Sequence, residues 1–396
     1  MKRVVNLYYG FQFFFNLLLW LPIFYEYQRA LGLSDPQIFS IQSIYYLFFC
    51  LLEIPTGMLA DWWGHLTCLR LGAITLVGSN LLPIFLPNYS GFLIHFLLIA
   101  LARSFISGAA MAYLYDYLRS QGKAETYKKT EGGARALGLV GKVVCWPVVG
   151  ILMKWHFTLP YWLTAMAALI SVGFAWQLPK MTYEFSRNGE IPLGTRLFRV
   201  FQILRRSPFL FLVMLQGIAI FTLSRICQVN LFQPILGSKH FDITFFGTVM
   251  SLMTVFEAVG SGRSLWLRRL TSDLNAIFIL TLVMAGSLLL IPFLGAMASV
   301  VCLCLFSYAT GLAYPIQSQL MNDNIPDSTY RATLLSVESI IDRAGCAWVA
   351  SVIGGFLEAG KLDLFLVVAS LVTGAGIFAI FLGIRWYRSS PPAVAI

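Results

Sequence analysis

Charged residues are scarce in this chain of 396 residues: Asp, Glu, Lys and Arg together make up 12% of it. Soluble domains average about 25%. Hydrophobic residues reach 58%, and the mean hydropathy is +0.75. This composition excludes an ordinary soluble enzyme. It also excludes a disordered chain, because disorder needs low hydrophobicity and high charge.

Cysteine and histidine are too few and too scattered for a disulfide framework or a structural metal site. The seven cysteines form no Cys-x-x-Cys pair, and the four histidines stand far apart along the sequence. Such sites need ligands in pairs at short spacing. The phosphate-binding pattern Gly-x-x-x-x-Gly-Lys-Ser/Thr is also absent from the sequence. We therefore expect no metal, no cofactor, no ATP-driven pump and no membrane-embedded enzyme with a histidine-based centre.

Long apolar runs divide the chain into twelve segments, and each could cross a bilayer as a helix of about 20 residues. The runs are continuous rather than alternating, which excludes an outer-membrane barrel. We therefore expect an all-α polytopic membrane protein with twelve transmembrane helices. The predicted spans are 5–29, 35–60, 68–87, 91–119, 132–154, 159–178, 209–233, 242–264, 274–294, 297–321, 332–357 and 363–386.

The net charge of +10 follows the predicted topology. With the N-terminus inside the cell, the inside connections carry most of the Lys and Arg residues, so the positive-inside rule places both termini in the cytoplasm. The charge therefore does not indicate a nucleic-acid partner. The basic residues of the outside connections are Arg29, Lys154, Lys239 and Lys361.

The two halves of the sequence resemble each other. Leu31-Gly32 recurs as Leu236-Gly237, and Thr75-Leu76-Val77 recurs as Thr281-Leu282-Val283, at nearly the same displacement along the chain. Such a repeat predicts two bundles of six helices with a substrate site where the halves meet. The predicted domains are an N-terminal bundle at 1–178, a basic cytoplasmic linker at 179–208 and a C-terminal bundle at 209–396.

The predicted linker has arginines interleaved with Leu, Val and Phe, including Arg199, Arg205 and Arg206. This pattern fits a basic amphipathic helix on the inner membrane surface. A positively charged connection without specific lipid contact explains it equally well, because the apolar stripe is short.

A motif between spans 2 and 3 carries a family resemblance. Gly57, Asp61 and Gly64 have a spacing that resembles the loop signature of the major facilitator superfamily. Gly57 permits close helix contact, Asp61 can cap a helix, and Gly64 permits a tight turn. The resemblance implies that Asp61 stabilises the outward-facing state of a secondary transporter.

The sequence departs from the family pattern just after this Asp. The family usually has basic residues after the Asp and after the second Gly, where this chain has Trp62, His65 and Leu66. Arg70 or Arg331 could replace them as the partner of Asp61, and Arg331 opens span 11 as commonly seen in the superfamily. The predicted conformational switch consists of Gly57, Asp61, Gly64 and Arg331.

Polar residues inside the spans mark the candidate substrate site. Arg103 and Arg225 lie near mid-membrane, where an arginine costs roughly 2.5–3.5 kcal/mol on insertion scales. In the superfamily, spans 1, 4, 7 and 10 line the central cavity, and the resemblance implies the same here. The predicted substrate-binding residues are Gln12, Asn16, Arg103, Arg225, Gln228, Tyr308, Tyr314 and Gln317.

Two interpretations of these arginines stay open. Two guanidinium groups in a pocket of low dielectric suit a carboxylate or a phosphate. Alternatively, each arginine is neutralised by an acid, since buried charges are usually paired. The candidate acids are Asp116, Glu338 and Asp342.

Span 11 carries Glu338 and Asp342 four residues apart, hence on one face of a helix. One of two such carboxyls could bind and release a proton, which a proton-coupled carrier requires, so both are predicted proton-coupling residues. The alternative is an ion-pair cluster that attaches span 11 to its neighbours.

The leading prediction is therefore a secondary active, proton-coupled transporter that moves a small organic solute by alternating access. The basic candidates favour an organic anion, such as a carboxylate metabolite or a siderophore. The alternative is a multidrug/H⁺ antiporter that exports lipophilic cations. We expect a bacterial inner-membrane protein whose partners are its substrate, H⁺ and the lipid bilayer, and the resemblance implies a monomer.

Overall fold

The computed structural model describes residues 1–181, 193–325 and 331–389, and these ranges contain helices and no strand. The hydrocarbon core of a bilayer offers no water to backbone polar groups, so each segment satisfies its own N–H and C=O groups as a helix. The helices are α1 (Lys2–Asn16), α2 (Phe24–Ala30), α3 (Asp35–Trp63), α4 (His65–Phe85), α5 (Tyr89–Ser120), α6 (Tyr127–Cys145), α7 (Val149–Trp155), α8 (Leu159–Gln177), α9 (Leu193–Arg206), α10 (Pro208–Arg225), α11 (Phe232–Ser238), α12 (Phe246–Leu270), α13 (Asp273–Leu290), α14 (Ala296–Asp323), α15 (Arg331–Glu358) and α16 (Leu362–Ser389).

Eleven segments of the described chain are helical, long and apolar enough to cross a membrane. The helix α3, of 29 residues, occupies the place of the predicted second span. The predicted all-α membrane fold is therefore confirmed.

Three of the spans are interrupted helices. Span 1 breaks between α1 and α2 beside Pro22, and span 5 breaks between α6 and α7 at Pro147. Proline lacks the N–H that an inner helical turn needs, which accounts for a break at these points. Span 7 passes through a π-helical turn, Ile226–Leu231, before α11.

One compact unit consists of Met1–Ser186, described as far as residue 181, together with Phe241–Ser251 and Ala347–Glu358. Its core is aromatic. The Trp20 ring stacks on Tyr161 with centroids 5.9 Å apart and meets the His95 ring edge-on at 5.1 Å. Trp20 Nε1 donates a hydrogen bond to Asn80 Oδ1 at 2.7 Å, so the polar end of this buried indole is satisfied.

Backbone packs directly on backbone where Phe241–Ser251 meets the segment around α7 in this unit. A Cβ built on Gly247 would lie 1.8 Å from the carbonyl oxygen of Trp146. A Cβ built on Gly150 would lie 2.1 Å from the carbonyl oxygen of Ile243. Neither position has room for a side chain, so each glycine allows a close approach that a larger residue would prevent.

The second unit consists of Arg187–His240, Leu252–Cys346 and Ala359–Ile396, of which residues 193–240, 252–325, 331–346 and 359–389 are described. The predicted division at 1–178, 179–208 and 209–396 stays a prediction. One apolar cluster of this unit joins the helices α10 and α13–α16 near their ends, and Val200 of α9 packs into it. Its other buried members are Leu210, Val213, Met214, Leu274, Leu320, Met321, Ile325, Leu334 and Ile384.

The close contact at Gly247 generates a stability prediction. In Gly247→Ala the new methyl group must displace backbone, and such overpacking costs roughly 1–3 kcal/mol. We expect a lower apparent Tm in a thermal unfolding scan of the purified protein in detergent. Gly286→Ala in α13 is the matched control, because a Cβ there meets no described atom within 4 Å. It should leave Tm unchanged or raise it, since alanine favours a helix over glycine by about 0.5–1 kcal/mol. Equal Tm values for the two variants would contradict the packing described here.

Candidate functional site

A cavity of about 600 Å³ lies inside the second unit, between the helices α10, α12, α14 and α15. Its volume is in the range of small-molecule sites. Five of the predicted site residues line it, namely Arg225, Gln228, Tyr314, Glu338 and Asp342.

An ion pair joins α10 to α15 at the wall of this cavity. Arg225 Nη2 donates to Asp342 Oδ2 at 3.1 Å, and Thr222 Oγ1 donates to Asp342 Oδ1 at 3.0 Å. The Asp342 side chain is 5% exposed and that of Arg225 is 36% exposed. Arg225 is thus neutralised by an acid, which is the second of the two interpretations made from the sequence. Arg343, the next residue along α15, instead directs its Nε to Ser339 Oγ at 3.4 Å.

Glu338 lies one helical turn before Asp342 and lines the same cavity, as the spacing predicted. Its side chain is buried, and its Oε1 atom has no hydrogen-bond partner among the residues described. A Cβ built on Gly217 of α10 would lie 2.6 Å from that oxygen and 2.7 Å from Gln317 Nε2. The bare backbone of Gly217 therefore provides the space that Glu338 occupies.

Sequence reasoning missed two residues of this site. Glu257 of α12 lines the cavity and accepts a hydrogen bond from Gln228 Nε2 at 2.9 Å. A carboxyl inside an apolar span is the signal that could have identified it. Gly217 carried no such signal, because only the packing of Glu338 shows why a side chain is excluded there.

Two residues predicted from the helix of span 10 do not line the cavity. Gln317 is fully buried between α14 and α10, where its Nε2 donates to the carbonyl oxygen of Val213 at 2.8 Å. Tyr308 presents its carbonyl oxygen 2.3 Å from the position of a Cβ on Gly260, at the crossing of α14 with α12. The amide of Gln317 is thus occupied by a helix contact and does not face the cavity.

The predicted substrate-binding residues of the first unit are Gln12, Asn16 and Arg103. Asn16 Nδ2 donates to Gln12 Oε1 at 3.0 Å, and Gln12 Nε2 donates to Tyr8 OH at 2.9 Å. Tyr8 OH in turn donates to Glu131 Oε2 at 3.0 Å, so this polar chain runs from α1 to α6. Arg103 of α5 is half-buried and makes no hydrogen bond or ion pair with the rest of the described chain.

The loop motif agrees with the sequence expectation at Gly64. Gly64 separates α3 from α4 with φ of +82°, so the predicted tight turn is confirmed. A Cβ on Gly57 would meet no described atom within 4 Å, so the close helix contact predicted at Gly57 stays a prediction. The Asp61 side chain lies outside the described residues. The role of this motif as a switch stays a prediction.

Of the two arginines considered as partners of Asp61, Arg70 contacts the end of α8 and Arg331 begins α15. Arg70 donates from Nε to the carbonyl oxygen of Ala175 and from Nη2 to that of Trp176, each at 3.3 Å. These carbonyls lie in the last turn of α8, where a cation is favoured. Arg331 is the first residue of α15 and is exposed.

Comparison with known proteins identifies the family. The profile of the Major Facilitator Superfamily matches residues 6–350, and the chain belongs to this family. It is therefore a transporter and not an enzyme, and it is an integral membrane protein with a small-molecule substrate.

Solved structures share this fold at low sequence identity. The nucleoside transporter NupG has a TM-score of 0.76 at 17% identity, over 97% of this chain and 100% of its own. A mutant of the peptide transporter POT in complex with sulfate has a TM-score of 0.78 at 12% identity, and the match covers 98% of this chain and 94% of the transporter. A POT family transporter in complex with 5-aminolevulinic acid has a TM-score of 0.74 at 11% identity, and the match covers 97% of this chain and 95% of the transporter. No curated protein matches the sequence.

The ion pair between Arg225 and Asp342 can be tested by a double-mutant cycle. Each single variant, Arg225→Gln or Asp342→Asn, leaves its partner without an opposite charge. The sum of the two single losses of apparent Tm should therefore exceed the loss in the double variant. We expect a coupling of about 1 kcal/mol for this partly buried pair.

The exposed pair of Lys154 and Asp242, with Nζ and Oδ2 2.5 Å apart, is the matched control. Exposed ion pairs contribute little, so the cycle of Lys154→Gln and Asp242→Asn should be additive. Additive losses at Arg225 and Asp342 as well would mean that the inner pair has no energetic role.

Proposed function

We propose that the chain is a proton-coupled secondary transporter that carries a small organic anion by alternating access. The observation that supports this proposal is the pair of carboxyls on successive turns of α15. Asp342 holds Arg225, and Glu338 has an oxygen without a hydrogen-bond donor at the wall of the same cavity. Intramembrane acids in this setting are the usual carriers of protons in transporters.

The ion pair suggests how proton and substrate are coupled. A proton taken up by Glu338 and passed to Asp342, one helical turn further along α15, removes the negative charge that engages Arg225. The guanidinium then becomes available to the carboxylate of a substrate, which it can bind through two parallel hydrogen bonds. Loss of the proton restores the ion pair and releases the anion. Proton and anion would therefore load and leave together.

Two further cations support an anionic substrate. Arg343 lines the cavity beside Asp342. Arg103 in α5 has no hydrogen bond or ion pair within the described chain, although an unpaired arginine at this depth is costly. The structural neighbours do not select a substrate class, because their own substrates, nucleosides and peptides, differ in chemistry.

Export of lipophilic cations is the second candidate. The cavity presents the three carboxyls of Glu257, Glu338 and Asp342 against the guanidinium groups of Arg225 and Arg343. The Phe221 and Tyr314 rings, with centroids 5.1 Å apart, add an aromatic surface that attracts cations.

We also propose a bacterial inner-membrane protein that works as a monomer with both termini in the cytoplasm. The asymmetric distribution of Lys and Arg between alternate connections supports this orientation. Labelling of single introduced cysteines in the connections of intact cells would test it.

A thermal-shift screen distinguishes the two substrate classes. The purified protein is heated with citrate, succinate or lactate, and in parallel with tetraphenylphosphonium or ethidium. A ligand at 100 times its Kd stabilises the fold by roughly 2.7 kcal/mol. We expect stabilisation by a carboxylate that is lost in Arg103→Ala and retained in Arg119→Ala, since Arg119 is exposed at the end of the same helix. Stabilisation by the cations alone would favour the second candidate.

The coupling role of Glu338 predicts a split between two transport assays in proteoliposomes. Glu338→Gln cannot carry a proton, so accumulation driven by an imposed pH gradient should fall at least tenfold. Exchange of labelled for unlabelled substrate, which needs no net proton movement, should persist. Glu358→Gln, the same change at the exposed end of the same helix, should retain both activities. Normal pH-driven accumulation by Glu338→Gln would exclude Glu338 as the proton carrier.

A further inference from the structure

The helix α9 has two faces, and only one of them is covered by the part of the chain that the structure describes. Val200 is 2% exposed and packs into the apolar cluster of the second unit, with Ile203 and Leu204 beside it. On the other face Phe198 is 61% exposed and Phe201 is 63% exposed. At 100° per residue, these two phenylalanines lie on the side away from Val200.

Arginines lie beside the exposed phenylalanines. Arg205 lies seven residues after Phe198 and therefore on the same face, and Arg199 and Arg206, also seven residues apart, lie along one edge of that face. All three are exposed. Arg199 meets only Gln202, with Nη1 and Oε1 3.3 Å apart, and neither of the other two makes a hydrogen bond or ion pair with the described residues.

The position of α9 brings this face to the depth of lipid headgroups. Ser207 alone separates α9 from α10, and its N–H donates to the carbonyl oxygen of Ile203 at 2.9 Å. The side chains under α9 belong to the ends of the spans: Leu210 is the third residue of α10, and Leu274 is the second residue of α13. The headgroup region begins where the apolar part of a span ends.

We propose that the exposed face of α9 is a binding surface for anionic phospholipid. Phe198 and Phe201 would enter the boundary between headgroups and acyl chains, and Arg199, Arg205 and Arg206 would bind lipid phosphates. An apolar face flanked by arginines is the arrangement that holds a helix in an anionic interface. The charge of the three arginines selects anionic lipid over zwitterionic lipid. Because Val200 on the covered face packs into the cluster that joins α10 and α13–α16, lipid bound to α9 also stabilises that cluster.

The test uses the full-length protein in phosphatidylcholine nanodiscs with increasing fractions of phosphatidylglycerol. We expect phosphatidylglycerol to raise the apparent Tm of the unchanged protein, with a smaller rise at high salt because the contact is screened. Each arginine near an anionic surface strengthens binding roughly fivefold. The triple variant Arg199→Gln, Arg205→Gln, Arg206→Gln should therefore need at least tenfold more phosphatidylglycerol for half of the Tm rise.

Three controls separate this surface from general electrostatics. The triple variant Lys123→Gln, Lys128→Gln, Lys129→Gln removes the same charge from exposed positions of the first unit and should behave as the unchanged protein does. The triple Arg→Lys variant at 199, 205 and 206 keeps the charge and should retain the rise in Tm. The double variant Phe198→Ser, Phe201→Ser keeps the charge but loses the apolar contact, so the maximal increase in Tm at high phosphatidylglycerol should be smaller.

Several results would overturn the proposal. If the Lys→Gln variant needed as much additional phosphatidylglycerol as the Arg→Gln variant does, net charge alone would explain the rise in Tm. The same Tm rise from inorganic phosphate in solution would indicate a site for a free anion. No difference between the unchanged protein and the Arg→Gln variant in any lipid would leave the face available for a soluble protein partner and would exclude lipid as its ligand.

Discussion

Inside a bilayer no water is available to satisfy a backbone N–H or C=O group, and the rest of this structure follows from that constraint. Every apolar segment is helical, and the interruptions lie beside Pro22 and Pro147 or at the π-helical turn of span 7. The turn Ile226–Leu231 contributes Gln228 to the cavity. An irregular backbone is tolerated in a membrane where it lines such a space.

The same lack of water makes each charge inside the spans costly, so its partner determines what it can do. Arg225 is held by Asp342, and Gln228 by Glu257, whereas Glu338 Oε1 rests against the bare backbone of Gly217. The cavity therefore combines satisfied and unsatisfied groups. A change of protonation at one carboxyl alters the hydrogen bonds of its neighbours, which is the property a coupled carrier needs.

The fold could be predicted from the sequence because hydropathy and span length depend on local composition alone. The shared face of Glu338 and Asp342 also follows from helical periodicity. Which acid pairs with Arg225 depends on how α10 packs against α15, and no spacing encodes that contact. Gln317 illustrates the same limit, because an amide suited to a substrate is instead bound to the carbonyl oxygen of Val213. Gly57 fits a family pattern, yet the contact expected of it is absent from the described chain.

Cys346 bears on how this protein can be labelled. Its Sγ lies 3.7 Å from Oδ1 of Asp342, the carboxylate that forms the ion pair with Arg225. Replacement of native cysteines by serine is one way to prepare a protein for labelling at an introduced cysteine. A serine hydroxyl is a much stronger donor than a thiol, so at this position it would compete with Thr222 and Arg225 for the same carboxylate. Alanine at residue 346 removes the thiol without adding a donor. A cysteine-free variant with alanine at this position would therefore keep the hydrogen bonds that Asp342 accepts from Thr222 and Arg225 while labels are introduced elsewhere.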